Sequence, residues 1–489
     1  MRRPLGPLHA VAAVRELDRR AIAAGIPARE LMRRAGRAAC AALLERFPAA
    51  APVLVLAGPG NNGGDGYDLA RELLARGREA RVLAPLGPPR SAEAGAARAE
   101  YLAAGGELLE AAAADELPPA ALYADALFGV GFDRPPEGAA AAWLQRLARA
   151  PAPVVALDVP SGVDAERGTV PGPAARAALT VCFIAAKRGL FTGAALDHAG
   201  EVWVDDLGLP EALLASVAPA AELLGRAALA AALPRRPRDC HKGDFGHVLV
   251  IAGARGFGGA ARLAGEGALR AGAGWVSVAT AAEHVPALLA GRPELMARSF
   301  EALDELWPKA TVVAVGPGLG LGGEAQALLE RALAFRGPRV LDADALNLLA
   351  GRPRPLGAAT VITPHPGEAG RLLGIPARAV QADRFAAARA LAERLGCTVV
   401  LKGAGTLVDD GASCAVIGHG HPAMAGPGMG DVLAGVIAGL LAQGLAPATA
   451  ARVGALAHAL AGERRAPGPG GRGLLAAELL GELPALLSP

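Results

Sequence analysis

The sequence predicts an α/β protein of two domains, each a parallel sheet with helices on both faces, and three observations carry that prediction. Short apolar runs alternate with helix-patterned segments along most of the chain. The residues just after those runs are rich in Gly, Asp and Asn, which belong at the ligand-binding carboxyl edge of an open α/β sheet. Finally, 489 residues exceed one ordinary core, because domains run to roughly 100–200 residues each.

Composition removes several function classes. A chain that is 52% apolar and 20% charged is globular, not disordered. Lys and Arg number 49 against 47 Asp and Glu, a net charge of +2, so there is no bulk electrostatic case for gripping nucleic acid or an anionic membrane. The expected partner is a small molecule. Cys40, Cys182, Cys240, Cys397 and Cys414 stand far apart with no CxxC pair, which argues against a disulfide framework or a zinc site and for a reducing, cytoplasmic location. Arg2 and Arg3 precede an apolar stretch broken by prolines and His9, so no signal peptide is expected. Val432 to Ala451 lacks charge over the length of a membrane span, yet it holds Gly435, Gly439, Gln443, Gly444 and Pro447. Small residues on every face point to a buried, closely packed helix instead.

In the N-terminal half the expected strands are Val53–Ala57, Arg81–Ala84, Leu122–Ala126 and Val154–Leu157, apolar runs of the kind buried in parallel sheets. The first is followed by GPGNNGGDG, Gly58 to Gly66, and then by Tyr67 to Arg76 with Leu69, Leu73 and Leu74 on one helix face and Gly77 as its stop. Strand, glycine-rich loop and helix make a ligand cradle: glycines let backbone N–H groups approach closely, and a helix start offers unpaired donors. An Asn-Gly hairpin would need a second strand where a helical stripe stands. No GK[ST] occurs there, so the segment is not a Walker loop. Asp125 and Asp158 follow at two strand ends, facing the crevice, where an acid can hold a cation or move a proton. Singly, each fits an Asx turn or N-cap equally well.

The segment PRRPRD, Pro234 to Asp239, marks a composition shift and places domains at 1–215 and 238–489 with a linker at 216–237. Beyond it the expected strands are Val248–Ala252, Val276–Ala279, Thr311–Val315, Val340–Asp342, Thr360–Ile362 and Thr398–Leu401. Only four basic residues are lysine: Lys187, Lys242, Lys309 and Lys402. Lys242 and Lys402 sit beside glycine, where a compact ammonium suits a phosphate, although leftover surface lysines would look the same. GPGLG at Gly316, DADALN at Asp342, TPHPGE at Thr363 and GPGMGD at Gly426 complete the set. GPGMGD ends in Asp431 at a helix head, which joins an anion hole of backbone amides to a carboxylate base, the two requirements for phosphoryl transfer to a hydroxyl. Alone, Asp431 reads as an N-cap. His419 and His421 lack a third metal ligand nearby and read as loop residues.

In order, GIPARELMRRAG, GPGNNGGDG, DALFGVG and DVPSGVD resemble the NAD(P)H-hydrate epimerase domain of bifunctional NAD(P)H-hydrate repair enzymes. The resemblance implies a Rossmann-like three-layer α/β/α fold. It also implies potassium held by Asn62, Asp125 and Ser161, and a hydrated nicotinamide nucleotide contacted by Asn61, Asn62, Gly63, Gly64, Asp65, Gly129, Val130, Gly131, Phe132, Asp133, Arg134, Pro135 and Asp158. Asp158 would be the proton-transfer residue. Arg33 stands where the family more often has an acid. HKGDFGHVLVIAG, GGAARLAGEGALRAGAG, VGPGLG, DADALN, TPHPGE, LKGAGT and GMGDVLAG resemble the ADP/ATP-dependent NAD(P)H-hydrate dehydratase domain of the same family, with a ribokinase-like α/β fold. There the resemblance implies that Ala260, Gly318, His365 and Asp431 contact the hydrate and that Lys402, Gly403, Ala404, Gly405, Thr406 and Gly430 contact ADP with its Mg2+. Asp431 would be the catalytic base. Pro427 departs from the small residue usual in that loop and removes one N–H donor.

The implied function is nicotinamide nucleotide repair. R and S forms of NADHX and NADPHX are interconverted, and the S form is dehydrated as ADP becomes AMP and phosphate; a homo-oligomer is expected by resemblance. The competing reading is a ribokinase-like kinase of a hydroxymethyl or hydroxyethyl heterocycle carrying an N-terminal binding module.

Overall fold

The computed structural model describes residues 2–3, 5–110, 117–131, 134–468 and 470–488. It divides into two units, Met1–Glu222 and Leu223–Pro489, described separately.

The first unit is built on an 8-stranded sheet. In space its strands run Arg2–Arg3, Glu201–Asp205, Leu179–Phe183, Val154–Leu157, Leu122–Ala126, Val53–Ala57, Ala80–Leu83 and Glu107–Leu109, all parallel except the first. Chain order starts at Val53–Ala57, moves outward to one side, then returns to Leu122–Ala126 and moves outward to the other. The direction therefore reverses between Val53–Ala57 and Leu122–Ala126, whose register pairs Leu56 with Asp125. A crevice opens outside the carboxyl ends of strands at such a reversal. Both strands are wholly buried; Val53–Ala57 is apolar throughout, as burial on both faces demands, and Leu122–Ala126 is broken only by Asp125. Helices Ala28–Arg46, Asn61–Ala75 and Ala92–Ala103 cover one face, and Gly138–Ala148 packs its Trp143, Leu144 and Leu147 on the Leu54, Leu56 and Tyr123 face. A short ribbon pairs Leu8 with Ala221 and His9 with Lys187.

The glycine-rich segment differs from its expected form. The helix begins at Asn61, not Tyr67, so NNGGDG is its first turns and not a loop. None of Gly58, Gly63, Gly64 and Gly66 has positive φ. They are there for proximity: a Cβ at Gly58 would overlap the Leu127 carbonyl, one at Gly63 the Gly58 carbonyl, and one at Gly66 would stand 2.7 Å from the Ala126 side chain.

In the second unit the strand order is Met296–Ser299, Trp275–Thr280, His247–Ile251, Val312–Val315, Arg339–Leu341, Thr360–Ile362, Thr398–Leu401, Thr406–Asp409 and Cys414–Ile417. Pairing is parallel up to Thr398–Leu401, and the last two strands are antiparallel additions. Reversal falls between His247–Ile251 and Val312–Val315. The uncharged stretch resolves into two helices, Met429–Ala442 and Pro447–Arg465, and no helix among the described residues is long and apolar enough to cross a membrane. Met429–Ala442 lies tight against Gly258–Arg270: a Cβ at Gly435 would overlap the Ala264 carbonyl, and those at Gly267 and Gly439 would stand 2.6 Å from the carbonyls of Val432 and Ala268. Four cysteines are buried and Cys240 is exposed, all free thiols.

Candidate active sites

In the first unit the reversal brings the residues after Ala57 and after Ala126 together. A Cβ on Gly129 would stand 3.4 Å from both the Asn62 side chain and an Asp158 carboxylate oxygen, so these three converge on one point. Asp125, fully buried, accepts from the Ser161 N–H at 2.8 Å, the Ser161 hydroxyl at 2.6 Å and the Leu127 N–H at 3.2 Å. Ser161 Oγ in turn accepts from the Phe128 N–H at 2.8 Å. Burial pushes Asp125 up to about 6, against the lowering effect of its Ser161 bonds. Asn62 is buried, and neither its Oδ1 nor its Nδ2 has a hydrogen-bond partner. Such a side chain costs free energy unless a ligand satisfies it.

Asp158 forms an ion pair with Lys187, whose Nζ also donates to the Phe183 carbonyl at 2.9 Å. Lys187 is completely buried, and nothing in the sequence marked it beyond the scarcity of lysine. Its place follows from the ribbon that pairs it with His9. Asp158 itself has φ +68, a strained conformation for a residue with a side chain. Among the described residues the other non-glycine positive φ values are at Ile184, Leu207 and Ala343. Asp158, Ile184 and Leu207 line a single cleft of about 1560 Å³, along with Asn61, Asn62, Asp65, Val130, Gly131, Arg134 and Pro135. Strain thus collects at the cleft.

Two more acids face it. Burial and the Asp158 charge raise Asp18, and burial with the carboxylates of Asp158, Asp68 and Asp18 holds Asp65 well above the ordinary range. Asn61 accepts from Ser91 Oγ at 2.6 Å, and Arg15 donates to the Val130 carbonyl at 2.9 Å. Gly63 and Gly64 are buried within the helix packing, so any ligand contact from them is through backbone. Phe132 and Asp133 lie outside the described residues. Arg33 pairs with Glu100 at 2.8 Å in a network that includes Arg29 and Asp68, which gives the departure at that position a local partner.

In the second unit Ala260 and Gly318 meet at the strand reversal: Gly318 has φ +54, and a Cβ there would stand 3.2 Å from that of Ala260. Farther along the same edge, Lys402 Nζ donates to Asp342 at 2.8 Å and lies 3.9 Å from Glu368. A Cβ on Gly430 would stand 3.2 Å from Lys402 Nζ and 3.5 Å from Asp342. Asp431 occupies the first turn of the Met429–Ala442 helix, after Gly428 at φ +85. Burial and Asp342 raise it to about 6, Lys402 opposes the shift and Asp344 adds to it. Glu368, raised by burial to about 7, accepts from the His365 N–H at 2.8 Å. His365, itself lowered by burial and by Lys402, caps the helix Pro366–Leu373 by accepting from the Gly367 N–H. Ala343, at φ +49, kinks the chain between Asp342 and Asp344. Pro427 precedes the helix, so its missing N–H is not one of the free first-turn donors.

Lys402 to Gly405 form the turn between antiparallel strands Thr398–Leu401 and Thr406–Asp409, with Leu401 paired to Leu407. That hairpin was not legible in the sequence. Beneath it lies Arg384, fully buried, whose guanidinium donates to the carbonyls of Leu401 and Lys402 at 3.2 and 3.3 Å. Lys242 does not join this group. It is exposed, and its ammonium sits 4.9 Å from the Trp275 ring centre, a cation–π contact that gives this lysine a partner without phosphate. His419 contacts Glu463 at 3.1 Å and His421 accepts from the Ala423 N–H, as loop residues do.

A family model described as NAD(P)H-hydrate dehydratase matches residues 248–485, and one described as YjeF-related protein N-terminus matches 28–189. The bifunctional NAD(P)H-hydrate repair enzyme Nnr of Coxiella burnetii is 45% identical over 97% of this chain and 98% of its own length. This chain belongs to that family. The Escherichia coli member is 42% identical over 95% of this chain and 90% of its own length. Among solved structures, a ribokinase-like superfamily protein of Enterococcus faecalis covers 55% of this chain and 96% of its own, at 31% identity and a TM-score of 0.51. The expected α/β class and ribokinase-like second half hold, and the antiparallel Thr406–Asp409 and Cys414–Ile417 strands extend it.

Proposed function

We propose that the chain is a bifunctional NAD(P)H-hydrate repair enzyme: the first unit epimerises R- and S-NAD(P)HX, and the second dehydrates the S form as ADP becomes AMP and phosphate. The observation that carries this is the placement of one carboxylate with an ammonium partner at the strand next to the sheet reversal of the first unit, Asp158 with Lys187, and another at a helix head beside Lys402 in the second, Asp431. Family membership supplies the substrate.

In the cleft, the hydrate has a hydroxyl on the ring carbon next to nitrogen, and inversion requires a proton to move at that oxygen while the carbon loses its configuration. Asp158 takes or returns that proton, and Lys187 fixes its orientation and balances its charge. Asn61, Gly129, Val130, Gly131, Arg134, Pro135 and Asp65, which line the cleft, surround the nucleotide. Asn62, Asp125 and Ser161 suit a potassium ion, since Asn62 Oδ1 is buried without a partner. Such an ion offsets negative charge beside the reacting hydroxyl.

In the second unit Asp431 removes the proton of the hydrate hydroxyl, and that oxygen attacks the terminal phosphoryl of ADP, breaking its bond to AMP. Electrons from the ring nitrogen then expel phosphate, a ring proton leaves, and the double bond returns. Ala260, Gly318 and His365 hold the hydrate. Lys402 to Thr406 and Gly430 hold ADP with its Mg2+, the Lys402 ammonium balancing developing charge. We assign the protein a homo-oligomeric, cytoplasmic state on family grounds.

Point variants test the division of labour. Asp158→Asn is expected to convert only the S hydrate to NAD(P)H, whereas Asp431→Asn equilibrates the epimers and forms no NAD(P)H. A stable phosphorylated product instead of free phosphate would overturn the dehydratase assignment in favour of a kinase.

A further inference from the structure

Two carbonyls of the turn 402–405, those of Lys402 and Gly405, and that of Leu401 just before it meet one buried side chain, while the Gly403 carbonyl accepts from the Thr406 hydroxyl at 3.0 Å. Arg384 Nη2 donates to the carbonyls of Leu401 at 3.2 Å, Lys402 at 3.3 Å and Gly405 at 3.5 Å, and Nη1 donates to Gln381 Oε1 at 2.7 Å. Gly403, at φ +134, presses directly on the guanidinium: a Cβ there would stand 2.9 Å from Nη1. Arg384 is only 1% exposed and has the largest fully buried side chain among the described residues. It opens the helix Arg384–Leu395, whose N-cap Asp383 accepts from the Ala386 N–H at 2.9 Å, so its backbone is anchored independently of the turn.

Burying a guanidinium is costly unless its donors are used. Here Nη1 is spent on Gln381 and Nη2 on main-chain oxygens at the one turn whose side chain, Lys402, reaches Asp342 and Gly430. Carbonyl oxygens repel a polyphosphate and N–H groups attract it, so the sign of this turn toward a nucleotide depends on which edge it presents. We propose that Arg384 is the positioning residue of the nucleotide subsite, drawing the carbonyls of residues 401, 402 and 405 inward so that the opposite edge of the turn meets the nucleotide. This rests on the reading that residues 402–406 contact ADP.

The test is steady-state dehydration by the full chain with S-NADHX, varying ADP and hydrate separately, for Arg384→Met, Arg384→Lys, Gln381→Leu and Lys402→Met. Arg384→Met is expected to raise the KM for ADP about tenfold or more while kcat and the hydrate KM stay within about threefold. Arg384→Lys, which still donates to carbonyls, recovers part of that loss, and Gln381→Leu raises the ADP KM about two- to threefold. Equal losses in all three kinetic parameters, or no rescue by lysine, would assign Arg384 a purely structural role and overturn the proposal. Should Arg384→Met not fold, as judged by circular dichroism, an unchanged ADP KM in both Arg384→Lys and Gln381→Leu refutes it, and a selective rise in either supports it. Lys402→Met separates the two claims. If it raises the ADP KM while the Arg384 and Gln381 variants do not, only the Arg384 inference fails; if none of the four changes it, the nucleotide reading of the turn fails as well.

Discussion

Asp431→Asn is expected to make the protein more stable as it makes it inactive. The wild-type carboxyl is raised from its ordinary 3.8 to about 6, chiefly by burial and by Asp342. A folded-state value above the unfolded one means that the folded protein holds the proton longer, so stability is lost as pH rises from about 4 through 6 and stays lost above. A shift of about two units corresponds to about 3 kcal/mol at pH 7.5, at 1.36 kcal/mol per unit, and integration of the same two values leaves about 1.6 kcal/mol at pH 5. Asparagine is neutral at both. Its stabilisation should therefore be about twice as large at pH 7.5 as at pH 5, while dehydration falls by about 10²–10⁴-fold for loss of a general base. Because the two units need not unfold together, the relevant transition in urea is the one that moves on addition of ADP. A variant less stable than wild type at pH 7.5, or equally stabilised at both pH values, would refute the placement of Asp431 in a buried, acid-crowded site.

Further outcomes follow from the same geometry. Dehydration kcat/KM should rise with the loss of one proton at an apparent value near 6 and stay level above it, as measured from pH 5 to 8; a profile falling across that range contradicts a base at Asp431. Lys187→Met strands Asp158, so epimerisation should drop by two or more orders of magnitude and the first unit should lose about 3–5 kcal/mol, read by epimer exchange and urea unfolding, with dehydration of S hydrate intact. Asn62→Ala removes a buried oxygen that has no hydrogen-bond partner and, under the proposed potassium site, should raise the potassium concentration needed for half-maximal epimerisation. Gly63→Ala, whose Cβ would overlap the Gly58 carbonyl, should destabilise by about 2–3 kcal/mol. Gly95→Ala, with nothing within 4 Å inside the helix Ala92–Ala103, should instead stabilise by about 0.5–1 kcal/mol.

Much of the fold was legible because parallel strands buried on both faces are written as largely apolar runs: Val53–Ala57, Leu122–Ala126, Val154–Leu157, Thr360–Ile362 and Thr398–Leu401 agree at both ends. The carboxyl-edge rule then pointed to the GPGNNGGDG segment and to Asp125 and Asp158 at two strand ends, and the glycine-rich turn before a helix pointed to Asp431, whereas Asn62 and Gly318 were singled out only by the family resemblance. What escaped has physical reasons. NNGGDG reads as a loop on its glycine content, yet those glycines serve helix packing against Met32, Val55, Ala126 and the Gly58 carbonyl, a tertiary fact with no local signal. Lys187 and Arg384 meet their partners across 29 and 17–21 residues, so neither lies in the motif it supports. Lys242 had the local look of Lys402, glycine-flanked and rare, but Trp275 rather than an acid cluster lies opposite it. The 402–405 hairpin was hidden because Thr406–Asp409 is short, ends in an acid and is followed at once by another, Asp410.

The most direct measurement of the whole account is to give the purified full-length protein a mixture of R- and S-NADHX, with and without ADP, and follow the dihydronicotinamide absorbance together with phosphate release. Complete return of absorbance from both epimers, dependent on ADP and matched by one phosphate for each NADH formed, is the predicted result. Return of the S fraction alone would contradict the epimerase assignment of the Asp158–Lys187 site, and no return at all would contradict the central claim.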